Sequence, residues 1–349
     1  MKAASARHVT IADVARLAEV NASTVSRVLN GRASVKPETR HRIEHAVSSL
    51  GYRPSQLAQS LASSKTWTLG VLLPDIQNLM HVEFLRGVQH AVQERGYSLV
   101  ISDGQLNADV QSATLDRFLK MRIDGIIVSR AFSLPALLEP FSKAGVPFEP
   151  LEVLQPSPED IEERRTGSFG AFRHVFGLGH TTAALFVHER DDAPGRSPEM
   201  RARIAALLHV RDEFGPERPV VHLAPVRREA DVHEQLGQLL AHPQRPTVLI
   251  AGNDWMTAPL LAAARDAGLR IPEDMSFLTY GDSRWAAAYR PPISAIRYDY
   301  YAEGQTLATR VLRRLGEPVD DVIADRPLAD DEFVDRASLG PPPGRATRN

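Results

Sequence analysis

Apolar positions in the first fifty residues recur at helical spacing in three short bursts. Val14, Leu17 and Ala18 share one face of IADVARLA; Val25, Val28 and Leu29 share one of ASTVSRVL; Ile43, Val47 and Leu50 share one of PETRHRIEHAVSSL. Thr10 with Asp13 three residues on forms a capping-box variant, so the first helix is expected to start near Ile11. The second follows Glu19-Val20-Asn21, with Asn21 placed as its cap, and turns Ala22, Ser23, Ser26 and Arg27 outward. Pro37 suits the first turn of the third and Gly51 supplies its stop. Three such helices close one small core.

Residues 54–62, PSQLAQSLA, carry Leu57, Ala58 and Leu61 at helical spacing, but nine residues are too few to hold a helix alone in water. From Trp67 the pattern changes to short apolar runs alternating with amphipathic stretches: TLGVLLP, FLRGVQHAVQERG, YSLVIS, LDRFLKMR, DGIIVS. A second series begins at FGAFRHVFGLGH and continues through AALFVHE, PVVHL, PTVLIAG and MSFLTYGD, with helical stretches between. This alternation predicts parallel sheets with crossover helices, arranged as two doubly wound lobes. The expected fold class is an all-α N-terminal head on an α/β body. VPFEPLEV is the misfit, because Glu149 and Pro150 interrupt an apolar run and proline gives no ladder donor, which points to an edge or irregular strand.

Charge sharpens the division. The net charge of the 349 residues is −2, yet the chain before Ala62 and including it holds nine Lys/Arg against four Asp/Glu, and the remainder 32 against 39. A basic head of +5 on an acidic body of −7 is what a chain needs when only its head meets a polyanion. Two short helices with alanines at their crossing (Ala15, Ala18) and a polar outer face on the second make a helix-turn-helix, whose second helix enters the DNA major groove. A generic helical bundle would account for the apolar spacing, but not for the basic excess or that polar face.

VTIADVARLAEVNASTVSRVLNG, VKPETRHRI and LGYRPSQLAQSLAS together resemble the lactose/galactose repressor family over about 55 residues in order, and the likeness resumes through the body. The resemblance implies that Ala22, Ser23 and Arg27 read base edges; Arg27 suits bidentate bonding to guanine, Ala22 offers only a methyl and Ser23 is permissive. Thr10, Thr24, Ser26, Asn30 and Arg32 fit phosphate contacts, which position without specifying, and equally fit a solvated helix surface. In the turn, Glu19 and Asn21 replace the family's usual Gly and Ser, so a slightly altered turn is expected. Residues 54–62 match the family's hinge helix, with Leu61 as the minor-groove wedge and Ala58 beside it; the alternative is a linker whose Leu61 packs on the body.

For the body, the resemblance implies a periplasmic-binding-protein-like pair of lobes with a ligand between them, beyond the carboxyl ends of the strands. Arg203, Asn253 and Asp282 match the family's polyhydroxyl-binding positions, Glu152 falls where relatives hold a ligand-contacting Asp, and Tyr300 is a further candidate. Asn253 serves equally as a helix cap and Asp282 as turn chemistry. Asn78-Leu79-Met80-His81 lacks the aromatic pair common in relatives; Tyr298, Tyr300, Trp255 and Trp285 are available to rebuild a stacking surface, or to pack. Strands near PPISAIRYDY are implied to cross back to the first lobe.

The resulting division is a head at 1–53, a hinge at 54–66, and a body at 67–340 whose first lobe takes 67–163 and 292–325 and whose second takes 164–291 and 326–340, with a Pro/Gly-rich tail at 341–349. No glycine-rich phosphate loop, G-x-S-x-G or H-E-x-x-H is present, and the twelve histidines form no ligand-spaced cluster, so no catalytic residue, metal or cofactor is assigned. The lack of cysteine removes thiol chemistry altogether. A transporter-linked binding protein would share the body but not the basic head. The expected protein is thus a cytoplasmic transcriptional regulator, a homodimer on a near-palindromic operator in double-stranded DNA, under the control of a sugar-like effector as inducer or co-repressor.

Overall fold

In the computed structural model, residues 9–29, 35–52, 65–76, 78–105, 107–129, 134–151, 167–189, 198–327 and 331–344 are described. Two compact units separate at residue 66.

The head consists of α1 (Ile11–Leu17), α2 (Ala22–Leu29) and α3 (Pro37–Leu50). The capping box is formed: Asp13 N–H donates to Thr10 Oγ1 and the Thr10 N–H donates back to Asp13. The stop at Gly51 has φ 61°, the left-handed conformation that glycine adopts without cost. Val14, Ala15, Ala18, Val25, Val28, Ile43 and Ala46 are buried together, one stripe from each helix, with Leu29, Val47 and Leu50 packed around them. The altered turn also has a definite form. Glu19 takes φ 52°, so the chain keeps a glycine-like conformation with a residue that has a Cβ.

In the second unit, β1 (Thr68–Leu73), β2 (Ser98–Asp103), β3 (Gly125–Ser129) and β4 (Phe148–Leu151) form a parallel sheet in the order β2-β1-β3-β4. β5 (Thr182–His188), β6 (Val220–Val226), β7 (Val248–Ala251), β8 (Ser276–Tyr280), β9 (Ser294–Arg297) and β10 (Glu332–Val334) form another in the order β10-β9-β8-β7-β5-β6. All its pairings are parallel except β10 on β9. β4 is an edge strand, as Pro150 required, and its buried Glu149 is answered by Arg314 at 2.7 Å.

One boundary is corrected. Ser294–Arg297 does not return to the first lobe; it pairs with β8 through Leu278↔Ser294, Thr279↔Ala295 and Tyr280↔Ile296. The chain crosses immediately afterwards, when α12 (Tyr300–Arg314) packs on α4 (Leu79–Gln93) in the first lobe. That crossing is so close that a Cβ on Gly87 would lie 2.0 Å from the Tyr301 carbonyl oxygen, and one on Gly304 2.1 Å from that of Phe84. Glycine is required at both positions.

The remaining helices are α5 (Ala108–Lys120), α6 (Leu134–Ala144), α7 (Ser168–Gly177), α8 (Pro198–Asp212), α9 (Glu229–Ala241), α10 (Asp254–Asp266), α11 (Arg284–Ala288) and α13 (Asp321–Ala324). Among the described residues no helix is long and apolar enough to cross a membrane.

Candidate nucleic-acid interface and effector site

The second helix of the head is built as a reading helix. Val25 and Val28 are drawn into the core, which leaves Ala22, Ser23 and Arg27 exposed and Thr24 and Ser26 half-buried on the opposite side. Arg27 Nε donates to the Ser23 carbonyl at 3.2 Å, which holds the guanidinium against its own helix. Thr10 is committed to its cap, with its side chain exposed. Asn30, Arg32, Ala58 and Leu61 lie outside the described residues.

In the body, the carboxyl ends of β7 and β8 gather the polar residues. Arg203, on α8, is 6 % exposed; its Nη1 donates to the Gly252 carbonyl and its guanidinium carbon stands 4.3 Å from the Tyr280 ring centre. Such a stack on an aromatic face fixes the cation's orientation. Asn253 occupies the N-cap of α10 with no side-chain cap bond, and its Oδ1 is buried without a partner among the described residues. Asp254 follows, with its own Oδ1 in the same condition. Burial pushes the Asp254 carboxyl above the usual range; the Ser283 hydroxyl partly offsets this, and the negative charge of Asp282 adds to it. Gly281, at φ 103°, passes so close that a Cβ there would lie 2.8 Å from Asp254 Cβ and 3.1 Å from its Oδ1.

Two expected effector residues are used differently. Asp282 lies at the right place, but both its oxygens accept from Arg336, at 2.7 and 2.9 Å, and Arg336 also donates to the Ile293 carbonyl at 2.7 Å. Its carboxylate is therefore an internal anchor for the C-terminal segment. Tyr300 is buried with Met80, Phe84 and Leu307 in the first-lobe core, because the crossover turns its ring toward α4. Glu152 lies outside the described residues. Of the aromatic candidates, Trp255 meets His188 edge to face at 5.4 Å near the ends of β5 and β7, while Trp285 packs on the second-lobe core.

Sequence reasoning passed over a further group. Tyr280 is fully buried, its phenol held well above its ordinary pKa chiefly by that burial, and it donates to Ser168 Oγ at 2.9 Å. Ser168 in turn binds Asp331 through its N–H at 3.0 Å and its hydroxyl, and Tyr298 reaches the same carboxylate at 3.5 Å. One carboxylate thus joins the start of α7, the crossing before α12 and the approach to β10. In the first lobe, Ser129 Oγ at the end of β3 is buried with no partner among the described residues.

A helix-turn-helix with an open polar reading face, joined to a two-sheet body with unsatisfied polar groups at its strand ends, defines a ligand-sensing DNA-binding regulator. Residues 10–55 match the family described as Bacterial regulatory proteins, lacI family, and residues 172–339 match the Periplasmic binding protein-like domain. Catabolite control protein A of Priestia megaterium is 29 % identical over 330 residues, 92 % of this chain and 97 % of that protein. The ribose operon repressor of Escherichia coli (strain K12) is 28 % identical, covering 88 % and 94 % respectively. Among solved structures, the lac repressor dimer bound to operator and the anti-inducer ONPF superposes with a TM-score of 0.80 at 25 % identity, over 96 % of this chain and 100 % of that one. The chain thus carries a lacI-family DNA-binding domain followed by a periplasmic-binding-protein-like domain, and it is similar over nearly its whole length to repressors built the same way.

Proposed function

We propose that the protein is a cytoplasmic transcriptional repressor that binds a near-palindromic operator as a homodimer and releases or grips it in response to a neutral, sugar-like effector held between the two lobes. The observation that carries the sensor half is the position of the unsatisfied oxygens. Among the described residues, Ser129 Oγ, Asn253 Oδ1 and Asp254 Oδ1 are buried without hydrogen-bond partners at the carboxyl ends of both sheets, where ligands of parallel sheets sit. The solved lac repressor, a dimer on its operator, supports the dimeric, operator-bound state, since paired half-sites need paired reading helices. Arg27 carries most of the base discrimination and Ala22 and Ser23 the remainder; Thr24, Ser26, Asn30 and Arg32 hold phosphates, and Leu61 beside Ala58 enters the minor groove. Glu152 is a further effector contact in this reading.

Enriching binding sites from random duplex DNA with the purified protein, then titrating the enriched site against a sugar and metabolite panel, tests both halves. A two-fold site whose affinity shifts with one compound is the expected result. Failure to enrich any sequence at moderate salt would overturn the regulator reading.

A further inference from the structure

The chain passes between the two sheets three times. It leaves β4 and enters the second lobe at Gly167-Ser168, returns through Tyr298 between β9 and α12, and passes back ahead of β10 at Asp331. All three passages meet at one carboxylate. Asp331 accepts from the Ser168 N–H at 3.0 Å and from the Ser168 hydroxyl, and the Tyr298 hydroxyl reaches it at 3.5 Å. We propose that Asp331 is the pivot on which the two lobes turn, and that its hydrogen bonds hold the angle between them that operator binding requires.

Three features carry the assignment, whose link to DNA rests on the regulator reading above. The first is reach: Ser168 and Tyr298 lie 163 and 33 positions from Asp331, so each bond ties one crossing to another and none closes a local turn. The second is the form of the approach. α7 begins at Gly167, which has no side chain to cap it, and Asp331 supplies the missing acceptor together with a negative charge at the positive end of the helix. Gly167 takes φ 62°, and a Cβ there would lie 1.9 Å from Asp331 Oδ1 and 2.4 Å from the Asp331 carbonyl oxygen, so the contact exists only because that position is bare. The third is a line of contacts to the strand ends. The Tyr280 hydroxyl, at the end of β8, donates to Ser168 Oγ at 2.9 Å. The Tyr280 ring centre lies 4.3 Å from the Arg203 guanidinium, which donates to the Gly252 carbonyl just beyond β7. A shift of Arg203 or of the end of β7 therefore acts on the same hydroxyl that Asp331 holds.

The competing account makes Asp331 the cap of α7 and nothing more, so that its loss lowers stability and leaves the lobes where they are. The lack of cysteine allows the two to be separated cleanly. Asp116→Cys on α5 and Glu234→Cys on α9, both exposed, put one spin label on each lobe of the full-length protein. Pulsed electron spin resonance then compares the distance between the labels in the parent, Asp331→Ala, Tyr298→Phe and Val175→Ala. The last removes buried apolar volume from α7 and no hydrogen bond. Asp331→Asn, which keeps the shape but offers the three donors an uncharged acceptor, replaces the alanine variant if that one does not fold.

The expected result is a distance distribution that is displaced or broadened in Asp331→Ala, changes the same way but less in Tyr298→Phe, and keeps its parental form in Val175→Ala, which only melts lower. Affinity for the enriched operator, measured without any small molecule, should weaken by about fivefold or more in Asp331→Ala, because lobes that sample more angles spend a smaller share of time at the binding one. A parental distribution in the Asp331 variants, or an equal change in Val175→Ala, would overturn the pivot. Altered distances with unaltered operator affinity would overturn its tie to DNA binding. A parent protein that enriches no operator would overturn the regulator reading instead, and the distances would still decide the pivot.

Discussion

Replacing Arg336 by alanine is expected to destabilise the body by about 3 kcal/mol, because breaking a buried ion pair from one side strands the other charge. Both groups are well shielded, with 18 % of the Arg336 side chain and 9 % of the Asp282 side chain exposed. Loss of the guanidinium removes two donors from the carboxylate and one from the Ile293 carbonyl. Arg297, 3.8 Å from Asp282 and half-exposed, compensates only in part, which sets the figure at the lower end of the usual range. For a unit of this size, about 3 kcal/mol corresponds to a fall of roughly 5 °C in melting temperature. Asp282→Ala should cost less, since the freed Arg336 is long enough to turn toward water, and the double variant less than the sum of the two. Circular dichroism melts of the intact protein and its three variants provide the cycle. A fall below about 2 °C for Arg336→Ala, or strictly additive losses, would refute the reading of Asp282 as an internal anchor.

Glu19→Gly should stabilise the head by about 1 kcal/mol, by relieving a left-handed residue that has a Cβ, and should tighten operator binding by removing a negative charge; an unchanged head melting transition would count against the strain. Arg27→Ala should cost about 1–3 kcal/mol at one operator position and relax preference there, whereas equal loss on every sequence would remove its reading role. His180 is buried between Thr247 and the Gly340 carbonyl, and burial lowers its pKa below 6.5. The folded state therefore disfavours the proton: the stability that neutral His180 brings is complete above pH 6.5 and declines as pH falls below it, toward the lowered folded pKa. Melting temperatures from pH 7.5 to 5 should fall more steeply for the wild type than for His180→Gln, and parallel curves would contradict this.

The periodic parts of the structure were legible because each residue's face is set by neighbours three or four positions away, or two in a strand. Thr10 with Asp13, Pro37 with Gly51 and the alternation after Trp67 all belong to that class, and Pro150 declared its strand an edge by lacking a donor. Partners that arrive from far along the chain were not legible. SAIR has the same local pattern whichever sheet receives it, and only its ladder with β8 decides. Glu149 looked like a misfit until Arg314 reached it. The strand-end carboxylates illustrate the same limit. A carboxylate after a β-strand reads alike whether it meets a ligand or closes an internal pair, and Arg336, 54 positions from Asp282, gives no local sign of its target. What shows the difference is the set of donors that the fold brings: two backbone N–H groups on Asp103 Oδ1 and two guanidinium nitrogens on Asp282. Such satisfied carboxylates hold the fold in place, because each accepted hydrogen bond offsets the cost of taking the charge out of water.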